Sequence, residues 1–130
     1  MPHRLLIVDD QESIQMMLRD FFMGHGCEVD ITGGVEDAKA MMNDASYALV
    51  ISDLSLTGTQ GKEGIELLRH VRERFPATRM ILLTGYGSTE VELEARGLNV
   101  DAFLRKPKPL HDLARIVFSV LEAPLDAQPE

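Results

Sequence analysis

Four short apolar runs constrain this chain more than anything else in it, because each leads to a reactive polar residue. Leu5-Leu6-Ile7-Val8 runs into Asp9-Asp10, Leu49-Val50-Ile51-Ser52 into Asp53, Met80-Ile81-Leu82-Leu83 into Thr84, and Ala102-Phe103-Leu104 leads to Lys106-Pro107. Runs of this length, alternating with stretches of helical period, predict buried parallel strands in an α/β sheet. Ligand sites in such sheets form at the carboxyl ends of the strands. Three carboxylates, a hydroxyl and an ammonium are therefore expected in one crevice.

The strands and helices follow in order along the chain. Strand one is predicted near Arg4 to Val8, and a helix from about Ser13 places Ile14, Met17, Leu18 and Phe21 on one face before Gly24 and Gly26. A second strand covers Cys27 to Thr32, a short helix Val35 to Asn43, and a third strand Ala48 to Ser52, closed by Asp53. After a polar loop from Leu54 to Glu63, a helix spans Gly64 to Phe75 and a fourth strand Met80 to Leu83. Ser88 to Arg96 is a helix with only Val91 and Ala95 facing inward, Asp101 to Leu104 is the fifth strand, and Leu110 to Leu121 is the last helix. Residues 1–121 thus form one domain, and 122–130 are expected to be a disordered tail.

At 130 residues, 45% hydrophobic, the chain suffices for one well-packed domain. Its formal net charge of -8 argues against direct binding of nucleic acid, which needs clustered Lys and Arg, and favours a divalent cation or a basic protein surface. One cysteine, Cys27, permits neither an internal disulfide nor a thiolate metal site, which suits a reducing cytoplasm. The first apolar run is too short for a signal peptide or a membrane span, so neither export nor membrane insertion is expected.

An Asp-Asp pair after a strand is, by itself, as readily a solvated turn or a helix N-cap. A third carboxylate on a neighbouring strand changes that, because strands one and three commonly lie side by side in a right-handed parallel sheet. Two like charges ~5 Å apart repel by roughly 3 kcal/mol at an effective dielectric near 20, and a hard cation offsets that repulsion. Oxygen ligands alone describe Mg²⁺, or Mn²⁺, better than Zn²⁺. The four histidines, His3, His25, His70 and His111, are read as surface residues. A carboxylate beside such a cation can attack phosphorus, which makes Asp53 the candidate nucleophile, with Lys106 and Thr84 donating to the transferred oxygens.

With these residues in place, the sequence from Arg4 to Leu121 resembles the receiver domain of bacterial two-component response regulators, of the stand-alone, chemotaxis-receiver kind. The family's acidic pair falls on Asp9 and Asp10, its phosphoacceptor on Asp53, its hydroxyl residue on Thr84, its lysine on Lys106 before Pro107, and its aromatic switch on Phe103. The resemblance implies a flavodoxin-like, doubly wound five-stranded parallel sheet of order 2-1-3-4-5 with five helices. It also implies phosphotransfer to Asp53 from a sensor histidine kinase or a phosphotransfer protein, with Mg²⁺ held by Asp10, Asp53, the backbone carbonyl of Ser55, and Asp9 through water. Such a protein assists its own phosphorylation and dephosphorylation without being an enzyme in the ordinary sense. Thr84 and Phe103 would move on phosphorylation and change the face made by the fourth helix, fifth strand and fifth helix, which serves a downstream protein or a homodimer.

The chain departs from the family pattern in the loop after Asp53, which is about three residues longer, at Tyr86, and at Phe103, where tyrosine is commoner. Tyr86 stands two residues beyond Thr84 and is a candidate shield for the acyl phosphate, with a half-exposed loop aromatic as the alternative. The rival to a phosphorylation-driven switch is a receiver fold that binds partners independently of phosphorylation. An aspartyl-phosphate hydrolase of the haloacid dehalogenase type lacks its Asp-x-Asp motif here, and a flavodoxin-like flavin carrier would need a hydroxyl-rich loop where this chain has two carboxylates.

Overall fold

The strand Leu49–Asp53 is buried at all five positions, because it has strands on both sides and helices on both faces. That is why it reads as a continuous apolar run rather than an alternating one. The structure, a computed structural model, describes residues 3–54, 63–85, 89–106 and 109–122. Its elements in chain order are β1 (Arg4–Val8), α1 (Glu12–Met23), β2 (Glu28–Thr32), α2 (Val35–Asp44), β3 (Leu49–Asp53), α3 (Glu63–Arg74), β4 (Arg79–Thr84), α4 (Thr89–Gly97), β5 (Ala102–Arg105) and α5 (Leu110–Glu122). All strands are parallel, in the order β2-β1-β3-β4-β5. The expected flavodoxin-like fold, with five strands and five helices, is the fold observed.

Side chains alternate across the sheet, so each strand supplies two interiors. Leu5, Ile7, Leu49, Ile51, Ile81 and Leu83 point to one face and pack with Leu18 and Phe22 of α1 and Leu113 and Val117 of α5. Leu6, Val8, Val50, Met80 and Leu82 point to the other, under Ala38 and Met42 of α2, Leu67, Leu68 and Val71 of α3, and Ala95 of α4. Each fully buried leucine or isoleucine contributes about 1.5–3 kcal/mol by leaving water. In α4 only Ala95 is buried, so this helix is held more thinly than the rest.

Element ends differ from expectation where a contact distant in sequence decides them. β5 runs on to Arg105, which pairs with Thr84. Gly97 is the last residue of α4 rather than its stop; the reversal falls on Asn99, at φ 63, with the Val100 amide donating to the Ala95 carbonyl. Asparagine tolerates this left-handed conformation better than most side chains.

One histidine also corrects the reading. His70 is half-buried, its ring 5.9 Å from that of Phe75, and its Nε2 is buried without a hydrogen-bond partner among the described residues. Burial, and then the charges of Lys39 and Arg74, hold its pKa below the ordinary value. On the helical period of α3 it lies beside the inward row of Leu67 and Val71, which the spacing of the apolar residues alone did not reveal.

Candidate functional site

The parallel register brings the reactive residues to one edge of the sheet. Val8 pairs with Ser52, Asp53 with Leu83, and Thr84 with Arg105, so Asp9, Asp53, Thr84 and Lys106 all stand at the carboxyl ends of adjacent strands. Asp9 is 1% exposed, Asp53 8% and Thr84 2%, so only Asp10 of the acidic residues faces water freely. One carboxylate oxygen each from Asp9, Asp10 and Asp53 lies within 4.8 Å of the others.

Lys106 joins two of these carboxylates. Its Nζ donates to Asp9 Oδ2 at 3.0 Å and to Asp53 Oδ2 at 3.2 Å. The Lys106 amide donates to the Thr84 carbonyl at 2.7 Å, which fixes the lysine against the end of β4. Burial by itself lowers the pKa of this ammonium, yet the hydrogen bonds and charges of Asp9 and Asp53 outweigh it and hold the pKa above the ordinary value. Lys106 is thus a permanent cation at any physiological pH.

Among the described residues, three carboxylates against one ammonium leave a formal charge of minus two at the crevice. At 4.8 Å and an effective dielectric near 20, each carboxylate pair repels by about 3 kcal/mol. An all-oxygen donor set with that imbalance fits a hard divalent cation such as Mg²⁺ or Mn²⁺, and it offers no nitrogen or sulfur to a softer metal. Lys106 supplies a positive charge beside the Asp53 carboxylate.

The backbone around Asp9 and Asp53 is closely held. The Asp9 amide donates to the Thr32 carbonyl at 3.0 Å, and the Gln11 amide to Asp9 Oδ1 at 2.9 Å. Beyond Asp53, the Gly64 amide donates to the Leu54 carbonyl at 2.9 Å, which brings the first turn of α3 against the residue that follows Asp53. The Leu54 amide in turn donates to the Leu83 carbonyl at 2.8 Å. Gln15, whose side chain reaches the Asp9 carbonyl, did not stand out in the sequence. Gly64 did carry a signal, a glycine opening a helix where a better helix former would serve.

Of the residues singled out beforehand, Asp9, Asp10, Asp53 and Lys106 come together, and Thr84 sits at the adjacent strand end. Phe103, in β5, is half-buried and packs on the face covered by α2, α3 and α4. Ser55, Tyr86 and Pro107 lie outside the described residues. Among the described residues no helix is long and apolar enough to cross a membrane.

Residues 5–118 match the family described as the response regulator receiver domain. The photosynthetic apparatus regulatory protein RegA of Rhodobacter capsulatus is 31% identical over 119 residues, 92% of this chain and 63% of RegA. The transcriptional regulatory protein ResD of Bacillus subtilis is 31% identical over 104 residues, 80% of this chain and 42% of ResD. The chain therefore spans less than two thirds of either relative. A CheY-like response regulator receiver domain protein from Methanospirillum hungatei, known from a crystal structure, superposes with a TM-score of 0.87 at 27% identity, over 94% of this chain and 95% of that one.

Proposed function

The chain belongs to the response regulator receiver domain family of two-component systems, whose members are phosphoacceptor signalling modules rather than classical enzymes, and from that premise we propose that it is a Mg²⁺-dependent switch phosphorylated on Asp53. The observation that carries the proposal is the Lys106 ammonium, hydrogen-bonded to both Asp9 and Asp53 at the buried strand ends, where three carboxylates converge.

The donor is a phosphohistidine on a sensor kinase or phosphotransfer protein. An Asp53 carboxylate oxygen attacks phosphorus, the phosphorus–nitrogen bond breaks, and the electron pair leaves with the imidazole. Lys106 and the Thr84 hydroxyl donate to the phosphoryl oxygens as the group arrives. Asp10, Asp53 and the Ser55 carbonyl would hold Mg²⁺ directly and Asp9 through water; when bound, the ion offsets the repulsion between the incoming phosphoryl group and the carboxylates. Water attacking the same phosphorus later breaks its bond to the Asp53 oxygen, which restores the carboxylate and releases phosphate, a reaction the same residues assist.

The output is proposed to lie on α4, β5 and α5. Thin burial of α4 and the 65% exposure of Leu93 support this, since a helix with Ala95 as its one buried residue can shift as Thr84 and Phe103 respond. A downstream protein or a second receiver would bind there. Tyr86 is proposed to shield the acyl phosphate from water. We place the working domain in the cytoplasm; its last helix, α5, runs on to Glu122, one residue past the expected end at Leu121, and residues 123–130 lie outside the described residues.

Intact mass after incubation with acetyl phosphate, with and without Mg²⁺, tests the reading. A single phosphoryl adduct that needs Mg²⁺ and is absent from Asp53→Asn is expected. No adduct in folded wild-type protein, even in rapidly quenched samples, would overturn it in favour of a receiver fold that binds partners independently of phosphorylation.

A further inference from the structure

Every polar atom of Asp9 is engaged. The amide is bound to Thr32, Oδ1 accepts from the Gln11 amide and Oδ2 from Lys106. The remaining atom, the backbone carbonyl, accepts from Gln15 Nε2 at 2.5 Å. Gln15 sits in the first turns of α1, its own amide donating to the Gln11 carbonyl at 3.0 Å. Its amide group also lies beside Gly33 of the β2–α2 connection, where a Cβ would come 3.5 Å from Nε2, 3.8 Å from the Asp9 carbonyl oxygen and 3.9 Å from the Asp10 Cα.

The carbonyl of Asp9 and the amide of Asp10 belong to one peptide plane, which is rigid. Holding that carbonyl therefore sets the plane's rotation, and with it the direction in which the Asp10 side chain leaves the backbone. Asp10 is exposed, in contrast to Asp9, so packing does little to orient it. We infer that Gln15 is a positioning residue for the divalent cation, fixing the Asp9–Asp10 peptide so that the Asp10 carboxylate stands ready beside those of Asp9 and Asp53. The inference rests on the proposed Mg²⁺-dependent switch and adds to it a residue that touches neither the metal nor the phosphoryl group.

A lost neutral hydrogen bond of this kind corresponds to about a three- to tenfold change in an equilibrium. The test uses the full chain and Mg²⁺ as the probe, followed by titration calorimetry, since the protein has no tryptophan to report binding. Gln15→Met keeps the length of the side chain and a good helix former while removing the donor, and Gln15→Ala serves as a second variant should the first pack poorly. Mg²⁺ affinity is expected to fall about three- to tenfold in both variants. The rate of phosphorylation by acetyl phosphate at saturating Mg²⁺ should stay within about twofold, a split that general destabilisation would not produce. Unchanged affinity in both variants, or a loss of rate that excess Mg²⁺ does not restore, overturns the assignment. Should wild type itself bind no Mg²⁺, the proposed switch fails, and the positioning role fails with it; wild type binding and both variants binding equally well defeats the positioning role alone.

Discussion

Gly64 and Leu54 meet backbone to backbone: the Gly64 amide donates to the Leu54 carbonyl at 2.9 Å, and a Cβ on Gly64 would lie 2.7 Å from Leu54 Cα and 2.9 Å from the Asp53 carbonyl oxygen. Neither neighbour is a side chain that can swing away, so α3 or the end of β3 must move to admit even a methyl group. Gly64→Ala is expected to cost about 2 kcal/mol in urea unfolding and to slow phosphoryl uptake on Asp53, because the displaced backbone carries that carboxylate. Wild-type stability and uptake in this variant would contradict the close approach.

Lys106→Met removes the cation between two buried carboxylates. Without metal, stability at neutral pH should fall by about 2 kcal/mol, the scale of a charged hydrogen-bonded group lost. Mg²⁺ should then raise the melting temperature of the variant more than that of wild type, since the ion meets one fewer positive neighbour. Uptake from acetyl phosphate should nevertheless drop sharply, because the proposed donor to the phosphoryl oxygens is gone. The raised pKa fixes the pH sense: the contribution of Lys106 is complete below about 10.5, the ordinary value, and is lost only as pH rises through the higher folded value.

Tyr47 gives a separate alkaline transition. Burial, with help from its 2.6 Å hydrogen bond to Asp30 and the Asp30 charge, pushes the phenol up to about 12 from an ordinary 10.0. The folded chain thus keeps a proton that the unfolded chain has already released, so stability is full below pH 10 and declines between 10 and about 12. The decline should amount to about 2–3 kcal/mol. In Tyr47→Phe that decline should disappear, together with the higher of the tyrosinate absorbance steps near 295 nm; a wild-type phenol ionising at the ordinary value would refute the account.

Arg72 ties three parts of the chain. Its guanidinium donates to the Thr78 carbonyl at 2.9 Å, the Leu98 carbonyl at 3.2 Å, the Asn99 carbonyl at 2.7 Å and Asp101 Oδ2 at 2.8 Å. The same Asp101 oxygen accepts from the Met80 amide at 2.7 Å. Arg72→Met should destabilise by about 2–3 kcal/mol and speed amide exchange from Leu98 to Asp101. Arg72→Lys should recover only part of this, because one ammonium cannot match a planar fork that serves four acceptors.

Much of the fold was readable because the apolar runs state their own burial. Leu5 to Val8, Leu49 to Ile51 and Met80 to Leu83 needed no partner to be recognised, and once they lie in a parallel register their ends must bring Asp9, Asp53 and Thr84 together. The contacts that hold those ends were not readable, since each depends on how the folded backbone turns, whether the partners lie close in the chain, as Gln15 and Asp9 do, or far apart, as Arg72 and Leu98 do. Arg72 looks like any polar residue near a helix end until Leu98 and Asn99 turn their carbonyls toward it. Gln15 looks like a solvated helix residue until the turn after β1 presents the Asp9 carbonyl. His70 falls beside the apolar row of α3, where a ring can lie half under Phe75 without disturbing the pattern of leucines.

The sheet also divides the interior into two chambers, one roofed by α1 and α5 and the other by α2, α3 and α4. Side chains of one chamber do not interleave with those of the other, and only strand backbone lies between them. Substitutions that refill one chamber need no matching change in the other, so the two flanks of such a protein are free to diverge at different rates. What both must preserve is the rim where the strands end, and a lineage can therefore exchange the surface on one flank for a new association while the carboxylate cluster of Asp9, Asp10 and Asp53 is inherited intact.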